Sequence, residues 1–362
     1  MLDEMGRCQS YWISSDASEL MPLAAAEATF RSDEKISFVD PLALELMSTI
    51  PMRRLAGIGF LGAIDFIRHG SGRSGHRRRH NRFEHTLGVA RLAETYACEA
   101  GLSEKRRRLL LAAALLHDVG HGPLSHTLEP VFANAFDIDH HSMTRRIVRG
   151  ETRNGRGVYA SLRDADIDPD EVLAMIDGHH SGPDAFLFAG SINFDTLDGI
   201  SRSRAFMKRR AAPRGMLRAV RHWAQTGRAP LSEFDAFWTL KHDVYTLLIC
   251  GARGRLLDAV AQAYMRANID EFDASDFERS EATLRKRHPK LFKVLSLVAS
   301  QRLSSLKDQL PSSWMKEEVT VKDRAFIVRT DKGLNEPNQL DARYTQSKFT
   351  RRISIEELIE GL

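Results

Sequence analysis

The stretch Leu109–His126, LLLAAALLHDVGHGPLSH, opens with eight consecutive apolar residues and closes with three histidines and an aspartate. The apolar run reads as a helix fit for a protein core. At its end stand His117 and Asp118, side chains that are costly to bury unless something pairs with them. The run is also far too short to cross a bilayer. The segment therefore reads as a core helix that presents polar groups at its tip.

The flanking sequence supplies a partner helix. HTLGVARLAETYACEA, from His85, has helical apolar spacing and ends near Gly101. Ser103 caps the next helix, which runs through EKRRRLLLAAALLHD toward Gly120. Two such helices, each roughly 20 Å long at 1.5 Å per residue, become antiparallel across the short Gly101–Ser103 turn. The start of the first then lies beside the end of the second, bringing His85 to His117 and Asp118. Asp118 also sits where the helix dipole disfavours a negative charge. A divalent cation would offset that penalty and draw imidazole nitrogens and carboxylate oxygens together. A buried His–Asp hydrogen bond at a helix end would account for the pair alone. A second pair, His242-Asp243, has no other ligand types beside it and reads as solvated or structural.

The wider composition is that of a soluble globular protein: 362 residues, 43% hydrophobic, 28% charged, with a formal charge of +4. The amino-terminal MLDEMGRCQSYW lacks the basic start and apolar stretch of a signal peptide. Three scattered cysteines, Cys8, Cys98 and Cys250, suggest neither a disulfide framework nor a zinc ribbon, and a reducing cytoplasmic home is expected. Charge distribution says more than net charge. FIRHGSGRSGHRRRHNRF, residues 66–83, holds six arginines and no acid, and 11 of the 14 histidines fall between His69 and His180.

The expected fold class is mainly α: a helical bundle with a small α/β appendage at the C-terminal end. Residues 1–35 form an arm, residues 36–312 the helical domain and residues 313–362 the appendage. Asp168-Pro169 is a cap and first turn for DEVLAMID. Further helices are expected in GMLRAVRHWAQ, AFWTLKHDVYTLLICGARGRLLDAVAQAYMRA and LFKVLSLVASQRL. After Trp314, VTVKDRAFIVRT and ARYTQSKFTRRI flank a turn-rich segment as a β-hairpin would, and Ser354 with Glu357 fits a capping box.

RFEHTLGVARL followed by ALLHDVGHGPLSHTLE resembles the HD-domain phosphohydrolases, closest to the deoxynucleoside triphosphate triphosphohydrolase branch. The resemblance spans about Asp40 to Met207 and weakens toward Ala267. It implies an HD-domain helical bundle, one divalent metal ion (Mn, Fe, Mg, Co, Ni or Zn) and the ligand set His85, His117, Asp118 and Asp195. The last falls in INFDTLDGISRS, similar to the family's Asp-x-x-Asp-Tyr helix. Arg82 would contact a phosphate. His121, His126 and Glu129 would form the proton-transfer group, joined by His140, or by its neighbour His141 if the two exchange roles. Asp198 would be a supporting or structural carboxylate, and His179 and His180 either approach the site or shape a loop.

The implied chemistry is hydrolysis of a nucleotide or related phosphate ester or anhydride by water activated beside the metal. A divalent ion polarises a phosphoryl oxygen, while His126, tuned by Glu129, exchanges a proton near neutral pH. No cysteine or serine motif suggests a covalent intermediate. Substrate-reading positions depart from the family: Phe60 stands at a glutamine position, and Thr196, Gly199 and Ser203 stand where Lys, Tyr and Asp are usual. The downstream tyrosine and histidine are missing near Ile249 and Gly251. Altered specificity is therefore expected. The longer basic segment 68–82, with Arg77, Arg78 and Arg79, is either a solvated loop or an arm that binds phosphate or nucleic acid. Two other readings stay open: a phosphodiesterase or nuclease acting on nucleic acid, and a non-catalytic binding protein stabilised by its metal. No membrane partner is expected, and homo-oligomer assembly is in keeping with the resembling enzymes.

Overall fold

The computed structural model describes residues 40–67, 80–180, 186–190, 192–209, 216–226, 230–300, 305–332 and 340–361. The N-terminal arm expected over residues 1–35 lies outside them. The described residues are mainly α-helical, with a single two-stranded antiparallel sheet. They fall into two compact units, each built from interleaved stretches of chain.

The first unit holds the described parts of Met1–Gly57, Asn81–Gly120 and His140–Ala189. Its centre is the helix Glu104–Leu116, in which all of Leu109–Leu116 is buried. Ser103 caps this helix by accepting from the Arg106 amide, as its position before the apolar run requires. Gly101 adopts φ +63, the left-handed turn that lets the preceding helix, Arg82–Glu99, fold back against it. Helices Pro41–Ser48 and Pro169–Ile176 pack on the same central helix. Its basic first turns are also used: Arg107 Nη1 reaches Glu94 Oε1 at 2.7 Å, and Arg108 Nε reaches Asp40 Oδ2 at 3.1 Å. The Asp168-Pro169 start is present as expected, with Asp168 accepting from Asp170 N.

The second unit holds Ile58–His80, His121–Asp139 and Gly190–Leu362 in their described parts. Helix Ala252–Ala267 is its spine, packed against Pro289–Ser300 and Glu129–Phe136. The long helical run expected through YTLLICGARG is interrupted. Helix Leu231–Val244 passes into a wide turn at Tyr245–Ile249, and a new helix begins after Gly251. Gly254 explains the tight restart, because a Cβ there would lie 2.6 Å from the Leu248 carbonyl oxygen.

The terminal hairpin is formed by β1 (Glu318–Val328) and β2 (Tyr344–Ser354), with Val328 opposite Tyr344 and Glu318 opposite Ser354. Helix Leu231–Val244 carries β1. Phe326 packs edge-on to Trp238 with centroids 5.3 Å apart, and the Phe326 amide donates to His242 Nδ1 at 3.2 Å. Asp235 accepts from Arg343 Nε at 2.9 Å and from the Tyr344 hydroxyl at 2.7 Å. The Ser354–Glu357 capping box opens the last helix, Ile355–Glu360. Among the described residues, no helix is long and apolar enough to cross a membrane.

Candidate functional site

The first unit brings four of the expected residues together. Asn81 caps helix Arg82–Glu99 by accepting from Glu84 N, which places Arg82 and His85 in its first turn. His117 and Asp118 follow the last turn of Glu104–Leu116. His117 Nε2 lies 3.4 Å from His85 Nε2, and Asp118 Oδ2 lies 3.4 Å from His85 Nε2 and 3.5 Å from His117 Nε2. Donors bound at about 2.0–2.2 Å around a tetrahedral ion lie roughly 3.4 Å from one another, so this triangle fits a divalent cation. Tautomer supports the fit. His117 Nδ1 lies 2.8 Å from the Ala114 carbonyl oxygen, which can only accept, so Nδ1–H donates there and Nε2 is left as the nitrogen available to a metal. His85 is fully buried, and Asp118 is 6% exposed. Arg82 Nη1 reaches the same Asp118 Oδ2 at 2.6 Å, so the guanidinium and the imidazoles converge on one oxygen.

Glycine at position 120 is a packing requirement. A Cβ there would stand 2.3 Å from the His140 carbonyl oxygen and 2.4 Å from Thr144 N, and the Gly120 amide donates to Thr144 Oγ1 at 3.1 Å. Helix His140–Val148 therefore starts directly against the turn after Asp118. His140 and His141 stack with centroids 3.9 Å apart. His180 Nδ1 and Nε2 each lie 3.0 Å from Arg106 Nη1, at the foot of the central helix, a contact that ties down the loop.

The second unit gathers a different group. The rings of His121 and His126 meet edge to face at 4.6 Å, and His126 Nδ1 is 3.6 Å from Glu129 Oε2. His121 is buried, whereas the His126 side chain is 61% exposed. Between them, Leu124 and Ser125 take successive left-handed conformations, with φ of 58 and 48. Such backbone persists only where its surroundings impose it. Here Ser125 Oγ donates to Gly59 O at 2.6 Å, and Glu281 Oε1 accepts from Gly59 N at 2.7 Å and from Leu124 N at 3.3 Å. Thr127 Oγ1 accepts from Ala63 N at 3.0 Å and donates to Asp258 Oδ1 at 2.6 Å. Burial raises the Asp258 carboxyl to about 6, against the opposing Thr127 hydrogen bond. Nothing in the spacing of Glu281 or Asp258 signals this support, because each acts across more than 100 residues of chain.

Asp195 occupies the first turn of helix Phe194–Phe206, capped by Asn193. Thr196, at the position where the resembling enzymes have lysine, closes a capping box with Asn193, its hydroxyl accepting from Asn193 N at 3.1 Å. Ser203 is buried. Asp198 accepts from Arg202 Nε at 2.5 Å and from its Nη2 at 3.1 Å. The sequence reading missed Lys241. Burial lowers its ammonium to about 8, with the Asp195 carboxylate opposing and Arg324 reinforcing the shift. Arg77, Arg78 and Arg79 lie outside the described residues.

Residues 82–212 match the HD domain family model. An uncharacterized Bacillus subtilis protein, YwfO, is 32% identical over 168 residues, covering 45% of this chain and 36% of its own length. The deoxynucleoside triphosphate triphosphohydrolase SAMHD1 of Bos taurus is 37% identical over 101 residues, covering 25% of this chain and 16% of its own length. This chain thus spans about a third or less of these two relatives' length. A hypothetical protein from Aquifex aeolicus shares the fold, with a TM-score of 0.59 at 19% identity over 89% of this chain and 95% of that one. The family match over residues 82–212, which holds the helical hairpin and the His–Asp pair at its end, places an HD domain in this part of the chain.

Proposed function

We propose that the protein is a metal-dependent phosphohydrolase that cleaves a nucleotide or related phosphate ester or anhydride by direct attack of water. The observation that carries this reading is the His85–His117–Asp118 donor triangle, which lies within an HD domain and has Arg82 on the same carboxylate oxygen. The relationship to SAMHD1, named for deoxynucleoside triphosphate hydrolysis, supports the substrate class.

In this reading His85, His117 and Asp118 hold the divalent cation, and Asp195 is the fourth ligand by its motif. A cation held there supplies Lewis acidity to a phosphoryl oxygen and to a water. Arg82, fixed by Asp118, offers donors to charge developing on phosphate. His126 exchanges a proton with solvent or leaving group, with the Glu129 carboxylate 3.6 Å from its Nδ1. His121 packs edge to face against that ring, and His140 adds a further imidazole to the proton-transfer group.

Specificity differs from that of the ordinary triphosphohydrolases. The hydroxyl of Thr196 is committed to a helix cap, Ser203 is buried, and Phe60 replaces a group that could hydrogen-bond a sugar. Each lost contact removes about 0.5–3 kcal/mol. Purified protein with manganese, magnesium, cobalt or nickel, given nucleotides, cyclic nucleotides and single-stranded oligonucleotides, should release phosphate or polyphosphate from a nucleotide other than the four standard deoxynucleoside triphosphates. Efficient cleavage of all four would refute the altered specificity. Release only from oligonucleotides would favour the nuclease reading.

A further inference from the structure

The turn that leads into His126 is held in a conformation it does not favour by itself. Leu124 and Ser125 have φ of 58 and 48, and neither is glycine. Left-handed backbone at two consecutive residues with side chains is costly, so contacts from elsewhere in the chain must impose it. Both residues are buried.

Those contacts converge on Glu281. Ser280 caps helix Glu281–Arg287 by accepting from Thr283 N at 3.3 Å, which puts Glu281 in the first turn, where the helix dipole favours a carboxylate. Its Oε1 accepts from Leu124 N at 3.3 Å and from Gly59 N at 2.7 Å, so one oxygen joins two stretches far apart in sequence. Across the same joint Ser125 Oγ donates to Gly59 O at 2.6 Å. The two stretches touch closely: a Cβ at Gly62, whose φ is +60, would stand 2.3 Å from the Leu124 carbonyl oxygen.

The Gly59 side of the joint is anchored independently. Phe60 N donates to the His80 carbonyl oxygen at 3.0 Å, and Leu61 N donates to Asp65 Oδ2 at 3.1 Å. The Leu124–Ser125 turn is thus the part free to relax if Glu281 lets go. His126 follows it directly, with a side chain 61% exposed. A rotation about the backbone bonds of the two preceding residues redirects its Cα–Cβ bond, and with it the ring that meets His121 at 4.6 Å and has Nδ1 3.6 Å from Glu129 Oε2.

We infer that Glu281 is a positioning residue: its carboxylate fastens the left-handed Leu124–Ser125 turn to Gly59 and so aims the His126 imidazole. The inference rests on the phosphohydrolase reading for the part that this imidazole plays in proton transfer.

Two measurements on the full chain need no turnover. Glu281→Ala should speed hydrogen exchange at the Gly59 and Leu124 amides roughly 10- to 100-fold, the loss of charge-assisted hydrogen bonds. It should also move the His126 imidazole resonance, identified by its absence in His126→Ala. Glu281→Gln keeps an acceptor oxygen and should restore part of both. With a hydrolysed nucleotide, Glu281→Ala should lower kcat roughly 10- to 100-fold, the scale of a misplaced catalytic group, and leave KM within about threefold. In a His126→Ala background the same change should cost less than about threefold, because the two residues act as a unit. If Glu281→Ala does not fold, Glu281→Asp, one methylene short of both amides, carries the same readings. An unmoved His126 resonance overturns the inference, as does a loss of kcat that persists undiminished without His126. A His126 resonance that follows Glu281 in a chain hydrolysing no nucleotide would instead remove the phosphohydrolase reading and leave the positioning role standing.

Discussion

His117 Nε2 lies 3.4 Å from His85 Nε2 although 32 residues separate them, and Asp118 Oδ2 completes a triangle of nearly equal sides. Two imidazole nitrogens and a carboxylate oxygen at this spacing match the separations of donors around a divalent ion.

His117→Ala, His85→Ala or Asp195→Ala should therefore remove most bound metal and nearly all hydrolysis, because the remaining donors form an open, weak site. Elemental analysis of purified variants checks this. Full occupancy with wild-type turnover in any of them would withdraw that residue from the ligand set.

His126→Ala and His140→Ala address proton transfer. Both should retain the metal and lower kcat by roughly 10²–10⁴-fold. His141→Ala, run alongside, decides which member of the stacked pair acts. Unchanged rates in all three would take these imidazoles out of the mechanism.

Gly120→Ala should destabilise the fold by about 1–3 kcal/mol, since the added methyl meets the His140 carbonyl and the Thr144 amide. Denaturant melts report the loss. A variant as stable as wild type would show that the turn after Asp118 has room that the contact distances deny.

Asp258 predicts a pH dependence. Its folded-state carboxyl, raised to about 6, holds a proton that the unfolded chain releases near its ordinary value of 3.8. Stability is thus unaffected below pH 3.8, falls as pH rises toward 6, and is level above that, a loss of order 2–3 kcal/mol. Asp258→Asn keeps an acceptor for Thr127 and should flatten this slope. Parallel melts at pH 4, 5, 6 and 7 measure it, and identical slopes in the two proteins would contradict the assignment.

Neutralising Arg77, Arg78 and Arg79 separates small-nucleotide from polynucleotide binding. A polynucleotide grip should lose about two units from the log–log salt slope, given about −0.7 per phosphate contact. Binding of a small nucleotide should instead show a raised KM, which is the expected result.

Local chemistry made much of this protein legible from its residues alone. Ser103 before an apolar run, Asp168 before Pro169 and Ser354 three residues ahead of Glu357 each announce a helix start, because the capping partner lies within one turn. Gly101 between two helices of similar length implies the antiparallel hairpin, and hence the meeting of His85 with His117 and Asp118. The alternation after Trp314 likewise announces the β-hairpin. Other features were decided only by tertiary structure. The helix break at Cys250-Gly251 depends on how closely Gly254 approaches Leu248, and the left-handed pair Leu124–Ser125 is held by Glu281, 157 residues from Leu124. The place of Lys241 over the Trp238 and Phe326 rings arises in the same way. A helix cap is a contact along the chain and leaves its mark in spacing. A buried cation over an aromatic ring is a contact through space, and only the packing of distant segments determines which ring, and which carboxylate, it meets.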